Sequence, residues 1–418
     1  MSFPRYERYK DSGVEWLGEV PEGWEIVQLK QFIDIQNGVD HKSVERDDGY
    51  PVIGSGGHFA YASEYLYSGE SVLLGRKGTI DKPIYINGPF WTVDTMYWSK
   101  IKSGTSGRLV YYVAQTIPFD FYSTNTALPS MTKGALNSHL VCRPSLSEQQ
   151  AIAAFLYRET AKIDELINEQ ANLIGLLKEK RQAVISHAVT KGLDPTVPMK
   201  DSGIEWLGGV PEGWEIRRLK FIAAVQTGIA KGKDVTGRNT TCVPYLRVAN
   251  VQDGYLDLEE ITTIDLPIED LDRYKLRIGD VLMNEGGDFD KLGRGHLWRG
   301  EIDPCIHQNH VFAVRPSKVS SSWLDKFTSS SSAQFYFMSR SKQSTNLASI
   351  SSRNIMELPV PIPSPTLQKS IVEFIDIETE KLDALTSEAQ RAIELLKERR
   401  SALISAAVTG KIDVRNTA

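Results

Sequence analysis

The residues of this chain that could do chemistry are few and scattered. The stretch closest to a phosphate loop is Gly228-Ile-Ala-Lys-Gly-Lys233. Its spacing is one residue short and Asp234 stands where a metal-binding Ser or Thr belongs, so a turn is the better reading. Asn284-Glu-Gly-Gly-Asp-Phe-Asp290, followed by Lys291, has the carboxylates and lysine of a metal nuclease. Gly286 and Gly287 make it a flexible loop, however, and the corresponding Leu74-Gly-Arg-Lys-Gly-Thr79 carries no acid. Cys305-Ile-His-Gln-Asn-His310 offers two imidazoles beside strand-like residues, which favours recognition or packing over metal ligation. A His-Glu-x-x-His motif, a closely spaced Cys/His set and the D/N-P-P-Y/F motif of adenine methyltransferases are all missing from the sequence. The expectation is a chain with no catalytic residues and no metal of its own.

Reading duplex DNA requires other residue types: Arg or Lys for guanine, Asn or Gln for adenine, and basic groups or backbone amides for phosphate. Such groups sit in two glycine-rich regions. Arg76, Lys77 and Thr79, with Thr124 and Asn125, form one set. Lys231, Lys233, Arg238, Asn239, Arg294 and Asn346 form the other, with Arg217 and Arg218 at its entry. Singly, each reads as an ordinary solvated side chain; together, and paired between regions, they point to nucleic acid.

The elements that must position these sets come from an internal duplication. Lys10–Lys30 and Lys200–Lys220 match at 17 of 21 positions with an offset of 190 and no gap. Ser147–Asp194 matches Thr366–Asp413 at an ungapped offset of 219. The segments between the repeats, 31–146 and 221–365, diverge, and the difference of offsets makes the second 29 residues longer (219 − 190 = 29). A common frame therefore carries two different inserts.

Both inserts read as α+β. Short β-rich runs at Tyr50–Ile53, Ser71–Leu74 and Ile84–Ile86 precede a helical stretch at Arg108–Gln115 in the first. Val243–Val248, Asp280–Met283 and His310–Val314 precede Trp323–Ser329 in the second. Proline-bearing connectors (Pro144; Pro359, Pro361, Pro363, Pro365) lead into the second repeat, which is helical. Its heptad pattern places Ile152, Leu166 and Leu173 on one position and Leu156, Ile163, Leu177 and Val184 on the other. The counterparts are Ile371, Leu385, Ile375, Leu382, Leu396 and Leu403, the pattern of a coiled coil most simply formed between the two helices of this chain. About 38 helical residues span about 57 Å. Expected boundaries are 1–146 for the N-terminal segment and first insert, 147–192 for the first long helix and 193–365 for the linker, repeat and second insert. The second helix follows over 366–413, then a tail at 414–418.

Composition limits the remaining classes. The chain has 418 residues, 41% apolar and 24% charged, the balance of a globular protein of several domains. No run of 18 apolar residues suggests a membrane span, and the N-terminus lacks the pattern of a secretory signal. Cys142, Cys242 and Cys305 are too few and too far apart for a disulfide framework or a zinc module. A reducing cytoplasm is the expected location. Lys and Arg number 48 against 53 Asp and Glu, a net charge of −5, and neither insert is basic overall. Any DNA-facing surface must be a local patch, and the chain alone should bind DNA weakly.

With D-S-G-x-E-W-L-G-x-V-P-E-G-W-E at 11–25 and 201–215, Pro-Ser-Leu-Ser-Glu-Gln-Gln at 144–150 and the helix ending L-L-K-E-[KR]-R, the chain resembles the specificity subunit of type I restriction–modification systems over nearly its whole length. The second junction, Pro363-Ser-Pro-Thr-Leu-Gln368, departs from the pattern: Leu367 and Lys369 replace Glu148 and Gln150. The resemblance implies an α+β fold of two globular target-recognition domains separated by two long helices forming an antiparallel coiled coil, with a pseudo-two-fold internal repeat. It implies a non-catalytic subunit in which each insert binds one half of a bipartite double-stranded DNA target and the helix pair sets the spacer. Two methyltransferase subunits would dock on it and two restriction/translocase subunits would join. S-adenosylmethionine, ATP and Mg would lie on those partners, with no cofactor here. A coiled-coil adaptor without sequence-specific DNA binding is the alternative.

Overall fold

The computed structural model describes residues 3–122, 129–232, 235–287, 289, 292–293, 295–343 and 348–415. The chain forms two compact units, Met1–Ala171 with Gln390–Ala418, and Asn172–Ala389. Each contains one globular domain and one end of each long helix, Leu146–Lys191 and Pro365–Val408. The second helix stops short of the expected residue 413 because Gly410 turns the chain at φ +72°. Among the described residues, no helix is long and apolar enough to cross a membrane.

In the first unit, a hairpin of Tyr9–Asp11 and Glu19–Pro21 precedes a mixed seven-stranded sheet. Its order is Ile33–Asn37, Met96–Ile101, Tyr67–Gly75, Ile84–Thr92, Tyr50–Gly54, Gly57–Ala62 and Glu45–Arg46, with one parallel pair, Tyr50–Gly54 with Ile84–Thr92. The strand at Ile84 runs further than its sequence suggests. Asn87-Gly88-Pro89 has the composition of a turn, yet Gly88 lies opposite Gly69 in the ladder, both at positive φ (132° and 143°), so the paired strands bend there together. Helix Gly107–Ala114 packs on the sheet. The core joins Val72, Leu74, Leu109 and Val113 to Ile152 and Leu156 of the first long helix and Ile404, Ala407 and Val408 of the second. The start of one long helix thus lies beside the end of the other.

The second unit repeats this plan with shorter strands. Hairpin Met199–Asp201 with Gly209–Pro211 leads to a four-stranded sheet ordered Ala223–Thr227, Val311–Pro316, Val281–Asn284, Gly295–Leu297. A second sheet is ordered Thr262–Pro267, Thr240–Leu246, Ile306–His307. Helix Ser321–Thr328 takes the place of Gly107–Ala114. Ile185, Ala188 and Val189, at the end of the first long helix, share a core with Ile371 and Ile375 at the start of the second. The proline-rich connector is itself a strand, Pro359–Ile362, paired with Glu215–Arg218 as Leu140–Arg143 pairs with Glu25–Gln28.

The phase of the helical seam differs from the expectation. Leu156, Ile163 and Leu177 are buried, as are Ile375 and Leu382, while Leu396 and Leu403 are half-buried. Leu166, Leu173 and Leu385, however, are 43%, 41% and 49% exposed. The buried or half-buried face instead takes in Thr160, Ile167 and Ile174, and Thr379, Thr386 and Ile393. Leu166-Ile167 and Leu173-Ile174 are adjacent apolar pairs, so apolar spacing alone fits two phases. The threonines decide between them. Thr160 donates to Leu156 O (2.7 Å) and bonds Tyr112 Oη; Thr379 donates to Ile375 O (2.8 Å). Their hydroxyls are satisfied locally, so they can occupy an apolar seam.

Candidate DNA interface

The frame consists of hydrogen bonds that recur in both units. Gln149 Oε1 accepts the Ser106 amide (3.0 Å) and its Nε2 donates to Pro144 O (3.0 Å). Gln368, 219 residues on, accepts the Ser320 amide (3.0 Å) and donates to Pro363 O (2.9 Å). Each glutamine fastens the start of a long helix to the N-cap serine of the short helix packed on the sheet. Asp164 receives Arg400 (2.8 Å) in the first unit, and Asp383 receives Arg181 (3.0 Å) in the second. The basic clusters late in the helices thus supply cross-helix ion pairs. Lys411 donates to Leu17 O and Glu19 O, and Lys191 to Leu207 O and Gly209 O. The order Lys191-Gly192 is reversed in Gly410-Lys411, yet the ammonium reaches equivalent carbonyls.

Held on this frame, each sheet presents loops at one end. In the first domain these follow Asn37, Gly54 and Gly75 and precede Met96. Gly38 is obligatory: a Cβ there would lie 2.0 Å from Val93 O. Gly228, 190 residues on, is held the same way, 2.0 Å from His307 O. The last residue of the first ladder is Gly75, opposite Met96, and that of the second is Asn284, opposite Val311.

Arg76, Lys77 and Thr79 fall in the first set of loops. The Arg76 guanidinium donates to Asp94 O (3.3 Å) and lies 5.9 Å from the Tyr97 ring centre. Lys77 is exposed, with its backbone bridged to Ser130, and Thr79 is half-buried. In the second domain Lys231 is exposed beside the Gly228 loop, where Ile229 bridges Gln308. Arg238 is exposed but engaged, donating to Glu269 (2.6 Å) and Asp270 (3.5 Å); Asn239 is exposed and accepts the Ile268 amide through its carbonyl. Arg217 pairs with Glu215 and Arg218 with Glu357, on the ribbon beneath the domain rather than among its loops. Thr124, Asn125, Lys233, Arg294 and Asn346 lie outside the described residues, as do Asp288, Asp290 and Lys291.

The two imidazoles of Cys305–His310 have separate roles. His307 is wholly buried and bonds Val311 O through Nδ1 (2.7 Å); burial holds its pKa below the usual range, so it packs as a neutral ring. His310 is exposed at the sheet end, and its Nδ1 lies 2.7 Å from Glu285 Oε2. Glu285 and His310 are the functional candidates that a search for basic and amide side chains passes over. Their signal was the acid-bearing loop beside the histidine pair. Among the described residues, no group of three or more His, Cys, Asp or Glu is placed to hold a metal ion.

Comparison with known proteins gives a consistent result. A family model described as the type I restriction modification DNA specificity domain matches twice, at residues 21–174 and 211–395. The type I restriction enzyme MjaVIII specificity subunit of Methanocaldococcus jannaschii is 23% identical, the alignment covering 100% of this chain and 98% of that one. The EcoBI specificity subunit of Escherichia coli is 22% identical over 96% of this chain and 89% of its own. For a putative MjaX specificity subunit of M. jannaschii the match covers 47% of this chain and 46% of that protein, at 24% identity. A solved structure from work on complex assembly and conformational transition of the type I R-M system covers 93% of this chain with a TM-score of 0.68 at 14% identity.

Proposed function

Because this chain belongs to the type I restriction–modification DNA specificity family, we propose that it is the non-catalytic subunit that reads a bipartite DNA target for a methyltransferase complex. Each domain binds one half of the target, and the long helices set the spacer between halves. The observation that carries this reading is the duplicated frame, in which the glutamine anchors and the cross-helix ion pairs recur, bearing loop ends with different chemistry. A catalyst would need one assembled set of reacting groups; a reader of two unlike half-sites needs one frame used twice.

The helices also support partner docking. Leu176 and Leu395 are 63% and 57% exposed at equivalent positions, as are Leu166 and Leu385 off the seam. Matched apolar side chains on the outer faces of two repeats suit two copies of one partner. We place the methyltransferase subunits there, with S-adenosylmethionine, ATP and Mg carried by the partner subunits and none by this chain. A net charge of −5 fits that division, the partners adding phosphate contacts that the reader lacks.

The test is co-expression with the methyltransferase subunits followed by mapping of methylated adenines. A split target is expected, and removing one heptad from each long helix should alter only the spacer. A contiguous target, or an unaltered spacer in the shortened protein, would refute this account and favour an adaptor.

A further inference from the structure

The two loop ends can be aligned by backbone hydrogen bonds, although their sequences cannot. Arg76 N donates to Thr95 O (2.8 Å) just beyond the Gly75–Met96 pair. Glu285 N donates to His310 O (2.9 Å) just beyond the Asn284–Val311 pair. Arg76 and Glu285 therefore hold one structural position, and Thr95 and His310 hold the position across from it.

Chemistry at that position is opposite in the two domains. The first presents a guanidinium, oriented by Asp94 O and the face of Tyr97. The second presents a carboxylate bonded to an imidazole, with Asn309 Nδ2 3.3 Å from the other ring nitrogen. Glu285 is 28% and His310 57% exposed at the side chain. A pair so open to water adds little to stability, so the fold gives little reason to place it there. Both positions directly follow a buried strand, Ser71–Gly75 in one case and Val281–Asn284 in the other, which fixes their backbone relative to the sheet.

Guanine presents two acceptors in the major groove, matched by arginine, whereas cytosine presents an amino donor, matched by a carboxylate. We propose that Arg76 and the Glu285–His310 pair are equivalent base-reading elements, and that this exchange of a donor for an acceptor makes the two half-sites differ. The proposal rests on the reading that each domain binds half of a split target.

The test uses the full chain co-expressed with its methyltransferase subunits. Methylated adenines are mapped, and binding of the purified complex is measured on duplexes carrying each of the four bases at every half-site position. The parental protein comes first: absence of a split target would remove the underlying reading and this inference with it. Given a split target, Glu285→Gln and His310→Ala should each lower discrimination about tenfold or more at one or two adjacent base pairs of one half-site. The other half-site and the spacer should stay as they were. Arg76→Ala should do the same to the opposite half-site, with Arg76→Lys retaining part of the preference. Thermal melting of each variant establishes that it is folded, and the conservative Glu285→Gln and Arg76→Lys keep the comparison open if an alanine variant is not. Parental discrimination at every position in folded variants would overturn the inference. So would equal weakening for all four bases throughout, because that is how a phosphate contact behaves.

Discussion

The two domains share particular contacts where they meet the helices and at one loop glycine, and differ within their sheets and at the ladder ends. Gln149 and Gln368 make the same pair of bonds, and Gly38 and Gly228 meet the same carbonyl obstruction. Within the sheets the solutions separate. Ser71 and Ser99 exchange hydrogen bonds with each other's strand through Val72 N (2.9 Å) and Ser99 N (3.1 Å). At the position of Ser71, four residues before the ladder's end, the second domain has Asp280, wholly buried and held by Arg315 through two bonds of 2.7 Å. The frame preserves particular bonds, whereas at this sheet position the two domains pair a buried polar group with different residues.

That contrast can be broken in graded ways. Arg315→Met leaves the Asp280 carboxylate buried without its counter-charge, holding only the Arg277 amide (2.9 Å), and should destabilise the second domain by about 3–5 kcal/mol in urea unfolding. Ser99→Ala, at the comparable strand pair of the first domain, should cost only about 1 kcal/mol. Equal losses would mean that the two pairings are interchangeable. Gly38→Ala and Gly228→Ala should each cost about 1–3 kcal/mol, because the new methyl meets a backbone carbonyl. Each should lower the melting temperature of its own domain, and a silent substitution at either would deny the shared device. The smallest effect belongs to the ion pairs. Arg181→Leu should cost at most about 1 kcal/mol, its partner Asp383 being largely solvated. Arg400→Leu should cost more, because Arg400 also donates to Gln115 (2.9 Å); double-mutant cycles against Asp164 and Asp383 separate the contributions.

Much of the frame was legible because duplication prints it twice. The repeats at Lys10 and Lys200 marked a shared segment leading into each insert, and the pattern at Ser147 and Thr366 marked the long helices. The seam phase was not legible, because Leu166-Ile167 and Leu173-Ile174 fit either count and the deciding residues, Thr160 and Thr379, are polar. Gly38 and Gly228 stand at the repeat offset beyond the obvious match, so the signal existed but was a single residue. At the loop ends, residue type named both Arg76 and Arg238 but could not show that Glu269 and Asp270 engage Arg238 while a backbone carbonyl and a ring orient Arg76. Nothing in composition could show that Glu285 stands where Arg76 does, since that equivalence depends on ladder register.

The central claim is that one frame presents two independent readers. Its most direct measurement replaces residues 221–365 with a second copy of residues 31–146 and maps methylated adenines with the methyltransferase subunits present. Both half-sites should then become copies of the one read by the first domain, with the spacer kept. A target whose second half-site persists unchanged would contradict the account.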